Sequence, residues 1–408
     1  MNEDFRNTKS LRSLMPALQN KKYFNYGGQG PLPQPSLDAI TNSWEKIQQL
    51  GPFTNDVWPY ASAEIFATKT KLAQMCGVSS KRIGLTENVT SGCILPLWGL
   101  PFSEGDRLLI SDCEHPGVVS ACKEIARRKH LKIDILNVQN LRKGVNEEKE
   151  SNSLLLELLS TALKAKTKLV VLSHILWNTG AIMPIKAIAK ILRKHPSKPF
   201  LLVDAAQSFG QISIEEAASH ADIYGFTGHK WACGPEGLGG VAVSERILEE
   251  SQPTLIGWKS LKSEGSIYNN SSQPFHSDAR RFEIATSCIP LLAGLRCSLD
   301  LLEKEGSHAQ RHKKIISMSQ KLWDHLQGIN DIAPILEGPP PAGLVSFSIK
   351  SKYSPGKIVE ILGKSCFWIR VLEDPVWLRA CLHVTSTEDE IEDLASAIKN
   401  FTDSQAKK

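Results

Sequence analysis

Apolar positions along the chain follow two periods. The runs Ile83–Thr86, Asp106–Ile110, Lys132–Val138, Lys168–Ile175, Phe200–Val203 and Ile223–Phe226 are short and apolar, with little polar alternation. That pattern predicts strands buried on both faces. Between them, the segments from Ile94, over Asn146–Lys166 and from Pro184 place apolar residues at three- and four-residue spacing, which predicts helices. Leu154, Leu155, Leu158 and Leu159 line one side of the second; Ile185, Ile188, Ile191 and Leu192 stripe the third. Ser36–Leu50 and Ala61–Cys76 read as helices on either side of the turn-rich GPFTNDVWPYAS. Strands alternate with helices from about residue 83 to 245, so the expected architecture is α/β with a mainly parallel sheet.

After Ser244 the alternation stops. Gly265–Asp278 is polar and loop-like, and a domain boundary is expected shortly after it. Helical spacing returns at Ile289–Leu302, Gln310–Leu326, Gly356–Leu362 and Glu388–Phe401. With the runs Gly343–Lys350, Phe367–Val371 and Leu382–Thr385, these make a smaller α+β unit. The expected organisation is an N-terminal segment, mobile or docking, over 1–22, a large domain over 23–280 and a small C-terminal domain over 281–408.

Composition narrows the class. With 408 residues, 41% hydrophobic and 22% charged, the chain is long and apolar enough for a large core. A net charge of +5 with no basic stripe argues against nucleic acid as a partner. No apolar stretch reaches membrane-spanning length, and the polar start MNEDFRNTKSLRSLMPALQNKK lacks the apolar core of a signal peptide. Nine cysteines without a C-x-x-C pair fit reduced thiols in a cytoplasmic protein better than a disulfide framework or a zinc site, so no metal is expected.

The candidate chemistry gathers at predicted strand ends, where parallel α/β sheets bind ligands. The Phe200 strand ends on Asp204, with Gln207 three residues on. The Ile223 strand ends in Thr227-Gly228-His229-Lys230. Taken singly, Asp204 reads equally as a turn former and Lys230 as a surface residue. Together, an acid and a lysine at two strand ends point to pyridoxal phosphate (PLP). The lysine would form a Schiff base with its aldehyde, and the acid would keep its pyridine nitrogen protonated. Thr90, Ser91 and Gly92 lie where the Ile83 strand turns into an apolar helix; they suit a phosphate cradle or plain N-capping. Gly27-Gly28-Gln29-Gly30 allows close backbone approach, or is a plain tight turn. His115 follows the Asp106 strand; His174 and Asn178 follow the Lys168 strand. Either of the last two is a candidate for the PLP phenolic oxygen or the substrate, and the sequence does not choose between them.

The ordered set YFNYGGQGPLP, TENVTSGCILPLWGL, SHILWNTGAIMPI, VDAAQSFGQ…DIYGFTGHKWACGPEGLGG, DARRFEIATS and R-x8-R resembles the class V aminotransferase family of fold-type I PLP enzymes, which includes the cysteine desulfurases. Within it the set is most similar to cyanobacterial-type L-cysteine/L-cystine C–S lyases. The pieces run from Tyr23 to about Ile391. The resemblance implies that Lys230 carries the cofactor and then acts as base at Cα, with Asp204 on the pyridine nitrogen and His115 stacked on the ring. It implies Gln207 on the phenolic oxygen, and Thr90, Ser91, Thr227 and His229 on the phosphate. Thr286 would reach the phosphate of a neighbouring subunit, so the protein would be a homodimer. Gly28 would border the substrate pocket, Arg379 would hold the substrate carboxylate, and Arg370 a second carboxylate such as the far end of cystine.

One departure decides the expected reaction. Desulfurases carry a nucleophilic cysteine before the carboxylate arginine, and the nearest candidate, Cys366 in GKSCFWIR, is two residues off the expected spacing in an apolar setting. The expectation is therefore β-elimination of cystine or cysteine to pyruvate, ammonia and persulfide or sulfide, which could feed iron–sulfur clusters through a sulfur-acceptor protein. The alternatives are a desulfurase using Cys366, a transaminase or epimerase on another amino acid, and an inactive binding scaffold; Lys230 and Asp204 count against the scaffold.

Overall fold

The computed structural model describes residues 10–142, 148–263 and 274–406. The expected polar loop 265–278 lies outside the described residues up to 273, as does the start of the chain up to residue 9.

In chain order the elements are β1 (Lys22–Tyr23), α1 (Gln34–Leu50), α2 (Val57–Cys76), β2 (Ile83–Thr86), α3 (Val89–Trp98), β3 (Arg107–Ser111), α4 (Pro116–Lys129), β4 (Lys132–Leu136), α5 (Glu148–Ala162), β5 (Thr167–Ser173), α6 (Ile185–Lys194), β6 (Phe200–Asp204), α7 (Glu215–His220), β7 (Ile223–Thr227), β8 (Gly239–Val243) and α8 (Glu245–Glu250). They continue with α9 (Ile289–Lys304), α10 (His308–Gln327), β9 (Ile332–Pro334), β10 (Leu344–Ile349), α11 (Pro355–Lys364), β11 (Phe367–Trp368), β12 (Arg370–Glu373), β13 (Val376–Cys381) and α12 (Glu388–Ala406).

Among the described residues, β2 to β8 form one seven-stranded sheet in the order β2-β8-β7-β6-β5-β3-β4. β7, β6, β5, β3 and β4 run parallel, and β8 runs against both its neighbours, β2 and β7. Helices cover both faces, which is why the central strands read as unbroken apolar runs. Leu108, Ile110, Val171, Leu202 and Ile223 face α3 and α4, packing on Leu97, Val118 and Ile125. Leu109, Val170, Leu201, Val203 and Tyr224 face the opposite layer, with Leu155 and Leu159 of α5 and Ile188 and Leu192 of α6. Each such leucine or isoleucine, fully buried, is worth about 1.5–3 kcal/mol.

A second, antiparallel sheet has the order β12-β13-β10-β9. Its core joins Val345, Phe347, Leu378 and Ala380 to Leu322 and Leu326 of α10, Leu362 of α11 and Leu394 and Ile398 of α12. The strand expected at Leu382–Thr385 is instead the turn that follows β13; the third long strand of this sheet is Val376–Cys381.

Two features bear on the expected domain limits. Helix α9 packs with Leu292, Leu295 and Leu299 in the large-domain core, so the second core begins with α10 rather than at residue 281. The segment before β1 is docked from Ser10: Leu11 and Met15 are buried in the large-domain core. Arg12 pairs with Glu390 at 2.8 Å and donates to the Thr385 carbonyl at 2.9 Å, tying the same segment to the small domain. β1 pairs in parallel with β11, so the N-terminal stretch contributes to both units. Among the described residues, no helix is long and apolar enough to cross a membrane.

Candidate active site

The site lies at the carboxyl ends of β3, β5, β6 and β7. Asp204 ends β6 on the α3/α4 face of the sheet, one residue past inward-facing Val203. It is 4% exposed, and its Oδ1 accepts from the Ala206 amide at 2.8 Å. Three residues beyond β7, Lys230 is half-buried. Burial pulls its amine down to about 8; Asp204 opposes the shift, while Arg379 and Arg370 add to it. Half of such an amine is neutral and nucleophilic near pH 8, against a small fraction of an ordinary lysine.

Two helix N-termini converge beside these residues. Asn88 caps α3, its Oδ1 accepting from the Ser91 amide at 3.0 Å. His115 caps α4, its Nδ1 accepting from the Gly117 amide at 3.2 Å. A Cβ added at Gly117 would lie 3.3 Å from His115 Nδ1 and 4.0 Å from Thr90 Oγ1, which puts Thr90 and His115 on one wall. Gly92 packs so tightly that a Cβ there would sit 2.8 Å from the Gly240 carbonyl oxygen. Thr227 Oγ1 and His229 Nδ1 are 2.8 Å apart. Burial lowers the pKa of both His115 and His229, which favours their neutral forms.

The opposite wall comes from the glycine loop and the small domain. A side chain at Gly27 would meet Arg379 Nη2 at 2.8 Å and Cys381 Sγ and Gln207 Oε1 at 2.9 Å, so only glycine fits. Gln207 donates from Nε2 to the Gly27 carbonyl at 3.0 Å and accepts at Oε1 from the Trp231 indole at 2.9 Å. Gly28 turns back on the Asn25 carbonyl at 2.9 Å. Arg379, 2% exposed on β13, donates from Nη1 to the Trp177 carbonyl at 2.6 Å. Arg370 sits opposite it on β12, exposed at the rim.

Three buried polar atoms at these walls have no partner among the described residues: Arg379 Nε, Trp177 Nε1 and Asn25 Oδ1. Buried polar groups left unpaired are costly and mark a place for a ligand. A depressed lysine, a buried acid beside it, paired helix N-termini with hydroxyls, and unpaired donors together fit pyridoxal phosphate.

Other residues singled out from the sequence have partners within the protein or line other surfaces. His174 follows Leu172 onto the other face of the sheet, where Nδ1 is 2.7 Å from the Tyr224 hydroxyl and burial drops its pKa to about 4. The strand alternation carries it away from Asp204. Asn178 is buried, donating to Cys113 Sγ at 3.4 Å and accepting from the Thr179 amide at 2.8 Å. Thr286 is exposed before α9, on a cavity of about 1020 Å³ whose lining includes Trp44, Phe53, Trp58 and Trp258 but not Lys230. Cys366 is exposed in a left-handed turn (φ 65°) just before β11, not within a strand. It lies four residues before Arg370, about 13 Å along an extended chain.

Two residues went unassigned in the sequence. Trp177 stands between His115, whose ring it meets edge-on at 6.4 Å, and Arg379, which its carbonyl holds. Glu114 is buried beneath His115. The signal for Trp177 was its place directly beside Asn178 at the end of β5; a large aromatic there reads as core unless the turn is known.

The aminotransferase class-V model matches residues 23–394. A probable cysteine desulfurase of Methanothermobacter thermautotrophicus is 24% identical over 97% of this chain and 98% of its own length. An isopenicillin N epimerase of Amycolatopsis lactamdurans is equally 24% identical over 97% and 98%. The cystine C–S lyase C-DES, solved in complex with its reaction product cysteine persulfide, superposes with a TM-score of 0.87 at 35% identity, covering 95% of this chain and 99% of its own. A C-DES mutant with glycine covalently linked to its PLP cofactor gives 0.88 at 34% identity, covering 96% and 100%. The chain belongs to the aminotransferase class-V family.

Proposed function

We propose that the protein is a homodimeric C–S lyase that cleaves cystine, and cysteine more slowly, by β-elimination. It is an enzyme of the cysteine desulfurase and C–S lyase type, and pyridoxal phosphate is its cofactor. The observation that carries the finer reading is the pair Arg370 and Arg379, in register on adjacent strands beside Lys230, which suits a substrate with two carboxylates.

Bound at Lys230, pyridoxal phosphate supplies an aldehyde for the amine and a ring that withdraws electrons from the substrate Cα. The chain's residues do the rest. Thr90, Ser91, Thr227 and His229 would hold the phosphate, with the α3 N-terminus favouring its charge. Asp204 would keep a positive partner on the pyridine nitrogen, and His115 would cover the ring. Gln207, with its second Nε2 proton, would reach the phenolic oxygen. Arg379 would bind the α-carboxylate in a bidentate pair, and Arg370 the distal one. Lys230 would take the proton from Cα, and its depressed pKa suits a base near neutral pH. The Cβ–S bond breaks and its electron pair leaves on sulfur. With one water consumed, cystine becomes cysteine persulfide, pyruvate and ammonia. The persulfide could pass to a sulfur-acceptor protein in iron–sulfur assembly.

Thr286 would serve the phosphate of a second copy, and the exposed Phe53, Trp58 and Trp258 near it would be covered by that copy. The test is to supply cystine to the purified enzyme, assay pyruvate and alanine, and mix Lys230→Ala with Thr286→Ala subunits. Pyruvate as main product and partial activity of the mixture are expected. Stoichiometric alanine would make the protein a desulfurase, and full cofactor binding by monomers would remove the shared site.

A further inference from the structure

Glu114 is a buried acid with no part in the chemistry above. It is 6% exposed, at the turn between β3 and α4. Its Oε1 accepts from the Ser173 amide at 2.8 Å and from the Ser111 hydroxyl; its Oε2 accepts from Ser173 Oγ at 2.8 Å. Ser111 ends β3 and Ser173 ends β5, and Ser173 lies in register with Asp204 on β6. One carboxyl therefore joins two adjacent strand ends, those of β3 and β5, and the second of these is paired with the Asp204 end of β6. The next residue, His115, caps α4 and faces the site.

We propose that Glu114 is a positioning residue, which fixes His115 and the Asp204 strand end relative to Lys230 and transmits its own charge state to the cofactor bound there. A purely structural tie would be served by a neutral amide. A carboxyl costs desolvation, and here it sits within the field of a second buried acid. Burial, with Asp204 adding to it, pushes Glu114 up to about 7, against the lowering effect of the serine bonds. Ionisation of Glu114 thus adds a negative charge beside Asp204 in the physiological range.

The other groups facing it are the thiols of Cys93 on α3, Cys122 on α4 and Cys113 on its own turn, and Asp204 on β6. Burial pushes all three thiols up, Cys122 to about 12, so none titrates near pH 7. Nearer the cofactor, His115 is lowered from its ordinary value and Lys230 falls to about 8. A transition near pH 7 that disappears with the Glu114 carboxyl alone belongs to Glu114.

This inference rests on the cofactor reading. The experiment uses the holoenzyme of the wild type, Glu114→Gln and Glu114→Ala. It follows the absorbance of the bound pyridoxal phosphate from pH 5.5 to 9, and cofactor loss on dialysis. The wild type should show a spectral transition near neutrality. Glu114→Gln, which keeps the reach to Ser173 and Ser111, should retain cofactor within about threefold of wild type but lack that transition. Glu114→Ala should lose cofactor about tenfold faster. A transition unchanged in Glu114→Gln would overturn the proposal even if Glu114→Ala failed to fold. Wild-type protein that takes up no pyridoxal phosphate would remove the cofactor reading itself.

Discussion

Arg370 on β12 and Arg379 on β13 stand directly opposite one another, and neither forms an ion pair among the described residues. Like charges opposed across antiparallel strands are destabilising. Burial and the nearby Arg370 both act to lower the Arg379 pKa. Such a pair is stable when anions lie between or beside its members, and the two ends of a dicarboxylate substrate meet that need.

Arg370→Ala should therefore raise KM for cystine by about tenfold or more while changing that for cysteine by less than about threefold. Arg379→Lys should raise KM for both, because one ammonium cannot replace a planar fork. Steady-state kinetics on the two substrates check this. Equal losses for both in Arg370→Ala would take it out of carboxylate binding.

The depressed Lys230 amine sets a pH dependence for cofactor capture. Only the neutral amine attacks an aldehyde, and its pKa is about 8 rather than 10.5. Covalent capture of pyridoxal phosphate, fixed by borohydride and mapped to Lys230, should rise with pH to a midpoint near 8. Asp204→Asn removes the charge that holds the pKa up, so the midpoint should fall further. A midpoint above 10 would mean that burial does not act on this amine.

Cys366 bears on lyase against desulfurase. It lies in an exposed left-handed turn four residues before Arg370, and no bond ties it to the groups around Lys230 among the described residues. Cys366→Ser should keep more than about half of wild-type turnover, with pyruvate still the main product. Loss of all sulfur release in that variant would assign the thiol a catalytic part.

The parallel sheet was legible because its strands are buried on both faces, and the unbroken runs ending in Asp204 and Thr227 show it directly. Asp204 and Lys230 were legible for the same reason: a charge directly after such a run has to be placed by function or by solvent. His174 was not. A residue just past a strand end faces either layer, and only the register of β5 against β6 fixes which. The β13 strand was missed because Asp374, Pro375 and Arg379 break the apolar run, and the run after it looked cleaner. The docking of α9 on α1 and α2 depends on contacts between segments far apart in sequence, which no local pattern records.

The Gly27 loop also sets an order of events during synthesis. The loop leaves the ribosome early, yet it is held by Gln207, and its neighbour Phe24 accepts at its carbonyl from the Cys381 amide at 2.7 Å. At about 5–20 residues per second, roughly 350 further residues take on the order of 20–70 s to emerge. Through that interval the sheet and Lys230 can form while the wall bearing Arg379 and Cys381 is still missing. The nascent pocket is open on one side, and the wall that would hold the substrate carboxylate forms only once Arg379 has emerged.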